Sequence, residues 1–297
     1  MKRSHFTTLS LLALSLTAAS LAATWEAPTN RSMSHGSAPA TPTPFNLTAT
    51  STGYSGPSTV QAGYVAVDLS NTSKMPVDAA FFRLRPGVSE AQFRAALSAT
   101  ALHSVKNADY KLAQMADVLG GPGTTGPGGH ASAVVHLTPG RYLLSSGSSD
   151  FGGHNSLMSL GYYKAVTVTG PELNNAPSMA DYTSKMLDFR FELPASVAAG
   201  THTWHLSNEG KEAHFMLVAK LLPGKTIKDV MAAMMSSTGP PPVDFQHAQG
   251  SQALTAGQAQ NFSLDLSTGH YAVVCFIGSK DGTEHAAMGM LQELVVQ

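Results

Sequence analysis

The chain contains itself twice. Placing Ala62-Gly63 on Ala199-Gly200, an offset of 137 residues, also superposes Leu69-Ser70-Asn71 on Leu206-Ser207-Asn208. In the same register Lys74 falls on Lys211, Leu84 on Leu221 and Pro86-Gly87 on Pro223-Gly224, all without a gap. Further on, Leu137, Gly140 and Tyr142 fall on Leu266, Gly269 and Tyr271 at an offset of 129. Self-similarity at a fixed spacing means one unit built twice, so the fold must be one that about half the chain can close by itself.

Each unit reads as short strands. YVAVDLSN and AAFFRLR in the first unit correspond to THTWHLSN and HFMLVAKLL in the second, with alternation or β-branched and aromatic enrichment. Each carries one helix-like insertion at the same place, opened by Ser89 with Gln92 and by Thr226 with Asp229. Such pairs three residues apart cap a helix reciprocally. Gly/Pro-rich loops follow, and the units close on LTPGRYLLSS and LSTGHYAVVC before the strands YYKAVTV and LQELVV. The expected fold is all-β: two tandem antiparallel sandwiches, each with a short helical insertion. The expected organisation is a signal peptide over 1–22, a flexible leader over 23–44, a first domain over 45–169, a linker over 170–186 and a second domain over 187–297.

The segment Met1 to Ala22 has a basic start at Lys2 and Arg3, an apolar stretch around Leu11 to Leu16, and small residues Ser20 and Ala22 spaced for cleavage. A secreted protein, periplasmic or extracellular, is therefore expected, with no membrane insertion after cleavage; the stretch is too interrupted by Ser and Thr for a retained span. Removal of Lys2 and Arg3 leaves the acidic side chains in excess, which argues against a nucleic-acid partner. Cys275 is the single cysteine of 297 residues. In an oxidising compartment an unpaired thiol is a liability, explained either by metal ligation or by use as a small buried hydrophobe.

His214, Cys275, His285 and Met290 stand in an order that suits one mononuclear site. A soft thiolate, two imidazoles and a weak axial thioether hold copper in both oxidation states. Tyr271, Val273 and Cys275 share one strand face by the period of two, which turns the thiol inward. His214 follows Asn208-Glu209-Gly210 at the entry of HFMLVAK, and the last strand leaves directly from Met290. Met288, two residues before Met290, is an alternative axial ligand.

With the Asn-x-Gly turn before His214, the Tyr-x-x-x-Cys275 strand and the Gly-Met290 pair before the last strand, the chain resembles the cupredoxins, the blue-copper family of plastocyanin and pseudoazurin. The second unit carries the resemblance and the first shares only its framework. It implies Greek-key β-sandwiches, one type 1 copper ion in the second domain, and one-electron transfer to a redox partner protein. His214, Cys275 and His285 would be the equatorial ligands and Met290 the axial one. The departure is FIGSKDGTE, nine residues between Cys275 and His285. Gly278, Asp281 and Gly282 can fold this stretch as a turn, since added loop length costs only about 0.6 kcal/mol per doubling.

The first unit has Val77 where the repeat places His214 and Ser146 where it places Cys275, so it is expected to bind no copper. The chain contains no His-x-His pair, and Cys275 lies between Val274 and Phe276, so the ligands of a trinuclear oxidase cluster are missing and no enzyme is expected. Two other readings stay open: a metal-free binding or structural β-sandwich module, and a copper-sequestering protein. Met231, Met234 and Met235 are expected as a core-facing helical stripe, and His202 and His205 lie on opposite faces of a strand.

Overall fold

The computed structural model describes residues 40–150, 153–236 and 240–297; the expected signal peptide and leader residues 23–39 lie outside the described residues. The first unit runs β1 Thr43–Thr50, β2 Gly53–Ser55, β3 Thr59–Gln61, β4 Gly63–Asn71, β5 Ala80–Leu84, α1 Glu90–Ala101, α2 Ala108–Met115, β6 Ala116–Val118, β7 His130–Leu137, β8 Gly140–Ser145 and β9 Tyr163–Thr169. The second runs β10 Tyr182–Leu187, β11 Arg190–Glu192, β12 Gly200–Asn208, β13 Leu217–Leu221, α3 Ile227–Ser236, β14 Val243–Gly250, β15 Ala259–Leu266, β16 Gly269–Val274 and β17 Leu291–Val296.

Alternation decides which face of each strand is buried. In β4 the residues Val65, Val67 and Leu69 point into the first core, while Asp68 between them is exposed. Their counterparts Trp204 and Leu206 in β12 enter the second core. In the first unit β2-β1-β4-β7 face β3-β9-β8-β5-β6; in the second β11-β10-β12-β15 face β14-β13-β16-β17. The two cores are separate, one around Phe45, Phe81 and Tyr142, the other around Trp204, Phe262 and Tyr271. Both halves are two-sheet sandwiches of one plan, and the repeat is structural as well as sequential: β4 with β12, β5 with β13, and α1 with α3 start 137 residues apart.

Four features differ from the sequence reading. The linker expected over 170–186 ends sooner, because Tyr182–Leu187 is a strand. Tyr182 pairs with Trp204 as Phe45 pairs with Val67, so the repeat reaches back to Tyr182 and the second sandwich starts there and not at 187. The strand is polar on its open face, Thr183 being exposed while Ser184 and Met186 are buried, and this hid it among linker-like residues. Likewise β1 begins at Thr43, inside the stretch expected as leader. The first unit also carries two helices and not one: α2 has no equivalent in the second. Finally, the sandwiches are not independent beads. β15 pairs with β7 through Gln260–Val135, Asn261–Val134 and Phe262–Ala133, which fuses their inner sheets into one of eight strands.

Both helix caps form as the spacing implies. Ser89 and Gln92 make the reciprocal capping box of α1, and Thr226 Oγ1 and N–H donate to Asp229 Oδ2 at 2.7 and 2.8 Å at the start of α3.

Candidate metal centre

The site lies at one pole of the second sandwich. His214 precedes β13 by three residues and is tied by backbone bonds in both directions to Leu254. Asn208 fixes that approach: its side-chain N–H groups donate to the carbonyls of Glu212 and Leu254 at 2.8 and 2.7 Å, and its Oδ1 accepts from Gly210 N–H at 2.9 Å. Cys275 follows the last residue of β16; Tyr271, Val273 and Cys275 lie in one core cluster while Ala272 and Val274 lie in another, as the period of two requires. His285 opens a short 3-10 turn, His285–Met288, and Gly289, with φ of 126°, reverses the chain into Met290.

These elements bring three donors together. His214 Nδ1 and His285 Nδ1 are 2.9 Å apart, Cys275 Sγ is 3.7 Å from His285 Nδ1, and one donor atom from each residue lies within 4.8 Å of the others. All three side chains are 0% exposed. Met290 is fully buried in the same core cluster as Cys275; its carbonyl accepts from Cys275 N–H at 3.1 Å and its N–H donates to His285 at 2.9 Å. Met288 is 41% exposed, at the end of the 3-10 turn and not on a strand beside Met290. The reversal at Gly289 thus puts the two methionines in different surroundings, Met290 in the core beside Cys275 and Met288 half-exposed.

The far nitrogens of both rings are engaged. His214 Nε2 is 3.1 Å from Asp188 Oδ1, and His285 Nε2 is 3.0 Å from Glu212 Oε2. A carboxylate only accepts, so each Nε2 carries the proton and each Nδ1 presents a bare lone pair. Asp188 is held in turn by the N–H groups of Lys211 and Glu212. Although burial opposes it, those bonds and the His214 ring keep the Asp188 carboxyl below its ordinary range. Burial brings His214 down to about 4 despite Asp188, with His285 adding to the fall. Burial likewise pushes the Cys275 thiol up to about 12, against the N–H groups of Phe215 and Ile277 and with the charges of Asp109 and Glu212.

Two bare nitrogens facing at 2.9 Å repel unless a cation lies between them. The donors fit a metal on chemical grounds: one thiol, two imidazole nitrogens, a buried methionine beside them, and outer carboxylates that fix both ring orientations. A soft sulfur with two imidazoles in an apolar shell is the donor set of a copper site. Phe189 completes the shell, its ring 5.2 Å from that of His285 and 6.5 Å from that of His214, both edge-on. It occupies the second position of the Asp188-Phe189 hairpin turn with φ of 67°, a conformation that normally calls for glycine.

The nine residues between Cys275 and His285 fold back as a turn. Gly278 bridges Glu284, Ser279 N–H donates to Thr283, and Asp281 accepts from Ser279 Oγ and Thr283 N–H at 2.8 and 2.9 Å. The same plan occurs in the first sandwich, where Ser149 bridges Ser156 and Ser146 N–H donates to Tyr162 as Cys275 N–H does to Met290. A long closing loop therefore belongs to the repeat itself, the first being one residue longer than the second. Val77, Ser146, Leu157 and Tyr162 fill that pole with buried packing in place of donors. The loop before His285 is also held from outside its own sandwich: Gly278 N–H donates to Asp109 Oδ2 at 2.8 Å and Asn107 Nδ2 to Lys280 carbonyl at 3.0 Å, both from α2 and its cap.

Asp188, Phe189, Glu212 and Asp109 are the residues that sequence reading missed. Glu212 could have been noticed, standing two residues before His214; Asp188 and Asp109 are brought in only by tertiary structure. Of the stripe expected to face the core, Met231 and Met234 pack partly buried against the α3 core cluster, whereas Met235 is 81% exposed and does not face it.

No family model and no curated protein matches the chain. Solved structures do. Auracyanin B is 17% identical, spanning 41% of this chain and 93% of its own, with a TM-score of 0.28. Rusticyanin from Thiobacillus ferrooxidans is 18% identical over 39% of this chain and 75% of its own, with a TM-score of 0.27. Copper nitrite reductase from Nitrosomonas europaea is 16% identical over 86% of this chain and 93% of its own, with a TM-score of 0.26. At these TM-scores the cupredoxin-like fold rests on the strand order and the donor set rests on the chain's own residues.

Proposed function

We propose that the protein is an exported one-electron carrier with a single type 1 copper centre in its second sandwich, His214, Cys275 and His285 equatorial and Met290 axial. The observation that carries this is the pair of Nδ1 atoms, 2.9 Å apart and deprived of protons by the carboxylates on their far sides, with a buried thiol against them. Copper binding releases the thiol proton, and the bound metal supplies a one-electron couple. The chain's own part is to hold the donors in a water-excluded pocket: the cap of Phe189, the carboxylates on the rings and the backbone tie between Cys275 and Met290 leave little to rearrange. A carrier role, and not catalysis, is favoured because the chain holds no His-x-His pair to build a second copper cluster. Export is favoured by the basic, then apolar, then small-residue order of 1–22, and a redox protein would be the partner.

Cu(II) titration of the mature protein is expected to give intense visible thiolate-to-copper absorption, abolished in Cys275→Ser, and a reversible one-electron couple. Copper uptake without that absorption would remove the thiolate from the site. Uptake of Cu(I) that cannot be reoxidised would favour sequestration over transfer.

A further inference from the structure

Between the two sandwiches, beside the donor pole, lies a cavity of about 550 Å³. That is an ordinary size for a small-molecule site. Phe82, Leu97 and Leu112 of the first sandwich and Phe215, Phe276 and Ile277 of the second form apolar walls. Phe215 follows His214, and Phe276 and Ile277 follow Cys275, so the wall is one residue removed from two donors.

Into this apolar space face Asp78, Asp109 and Asp150, whereas the wall contains no lysine or arginine and only one basic group, the exposed His103. Asp78 is 5% exposed; it accepts from Ser146 Oγ and, at 2.9 Å, from Gln252 Nε2, both neutral. Asp109 accepts from a backbone N–H of Gly278. Among the described residues neither forms an ion pair. Asp78 is buried and Asp109 half-buried, and a carboxylate taken out of water is rarely left without a cation, since the lost hydration must be replaced. Burial is the largest influence on both carboxyls and raises them, against the hydrogen bonds they accept and, at Asp109, against the nearby His103 and His285 rings. Thr100 Oγ1, on the same wall, is buried without a hydrogen-bond partner.

We infer that this cavity binds a small organic ammonium, an apolar or aromatic body with a cationic N–H head. The body would be covered by the leucines and phenylalanines, whose ring faces also favour a cation, and the head would meet Asp109 and Asp78. Anions are excluded by the same carboxylates. The site is independent of copper occupancy, although its wall adjoins the metal pole.

The test is calorimetric titration of the metal-free full chain with three probes of one shape: 1-naphthylmethylammonium, 1-naphthalenemethanol and 1-naphthoate. The ammonium should bind about tenfold or more tightly than the alcohol, the worth of one charge-assisted hydrogen bond, and the naphthoate should not bind. Asp109→Asn, which keeps an acceptor for Gly278, should remove most of that preference while leaving the alcohol's affinity unchanged. Ala113→Trp, at the cavity wall, should block the ammonium and the alcohol alike. Equal affinity for ammonium and alcohol, or no binding by any probe at millimolar concentration, overturns the inference. Because no copper is present, either result leaves the visible-spectrum test of the metal centre untouched.

Discussion

The metal-free protein should lose stability in mild acid through one side chain, His214. Its ring is fully buried, and its pKa lies at about 4 against an ordinary 6.5. As pH falls through about 6.5 the unfolded chain takes up a proton there and the folded chain does not, so unfolding is favoured progressively until the folded ring titrates near 4. The gap corresponds to about 3 kcal/mol at 1.36 kcal/mol per pKa unit, fully available above pH 6.5 and lost by about pH 4. Asp188, held below its ordinary range, loses its contribution only as pH falls through that lower value. Asp78, Asp109 and Glu284 are raised and act with the opposite sign, losing stability as pH rises past the ordinary carboxylate range. They are common to wild type and His214→Gln, so the difference between the two isolates the ring. Urea unfolding of both metal-free proteins at steps from pH 7 to 4 should show a difference that shifts by about 3 kcal/mol towards the variant. A difference that stays flat over this range would refute the buried, proton-free His214 on which the donor geometry depends.

Met290→Ala should cost about 2–5 kcal/mol by leaving a core cavity, whereas Met288→Ala should stay within about 0.5 kcal/mol; chemical denaturation separates them, and equal costs would contradict their unequal burial. Phe189→Gly should recover about 1 kcal/mol of backbone strain but give up the ring's packing on the second core and uncover both imidazoles, so chelators should strip copper faster; unchanged stripping would deny the ring its sealing role. Asp109→Ala should leave the Gly278 N–H without its acceptor at a cost of about 1–3 kcal/mol, and amide exchange should quicken through residues 278–285. Exchange confined to α2 would show that the loop stands without its brace.

The repeat made the fold legible. Alternation located β4 and β12, the capping pairs located α1 and α3, and the shared offset implied two sandwiches of one plan. The donor set was legible for a related reason: each residue sits at a strand end or turn whose local chemistry is in the sequence, such as Asn208 before His214. What escaped was what only tertiary structure supplies. Asp188 lies 26 residues from the ring it orients, and Asp109 lies 169 residues from the loop it holds. β10 escaped because one face meets water and its polar residues resemble a linker, and α2 because a single eight-residue helix has no partner in the repeat to betray it.

A duplicated unit with Val77 and Ser146 where the repeat places His214 and Cys275 still has physical work, and α2 identifies it. Each closing loop must return on itself over a single bridge, Ser149–Ser156 in one sandwich and Gly278–Glu284 in the other. In the first, Ser98 of α1 meets Ser156 at 2.9 Å, so the loop is braced by its own sandwich. In the second, the hydrogen bonds to Gly278 and Lys280 come from Asp109 and Asn107 of the first sandwich. With the inner sheets fused at β7 and β15, neither sandwich leaves an open edge at that seam, and α2 is held at a fixed distance from the loop. A loop carrying His285 must be rigid for its ring to stay against Cys275. The helix that lacks a counterpart in the repeat is the one that supplies that rigidity, which gives the first sandwich a reason to remain joined to the other.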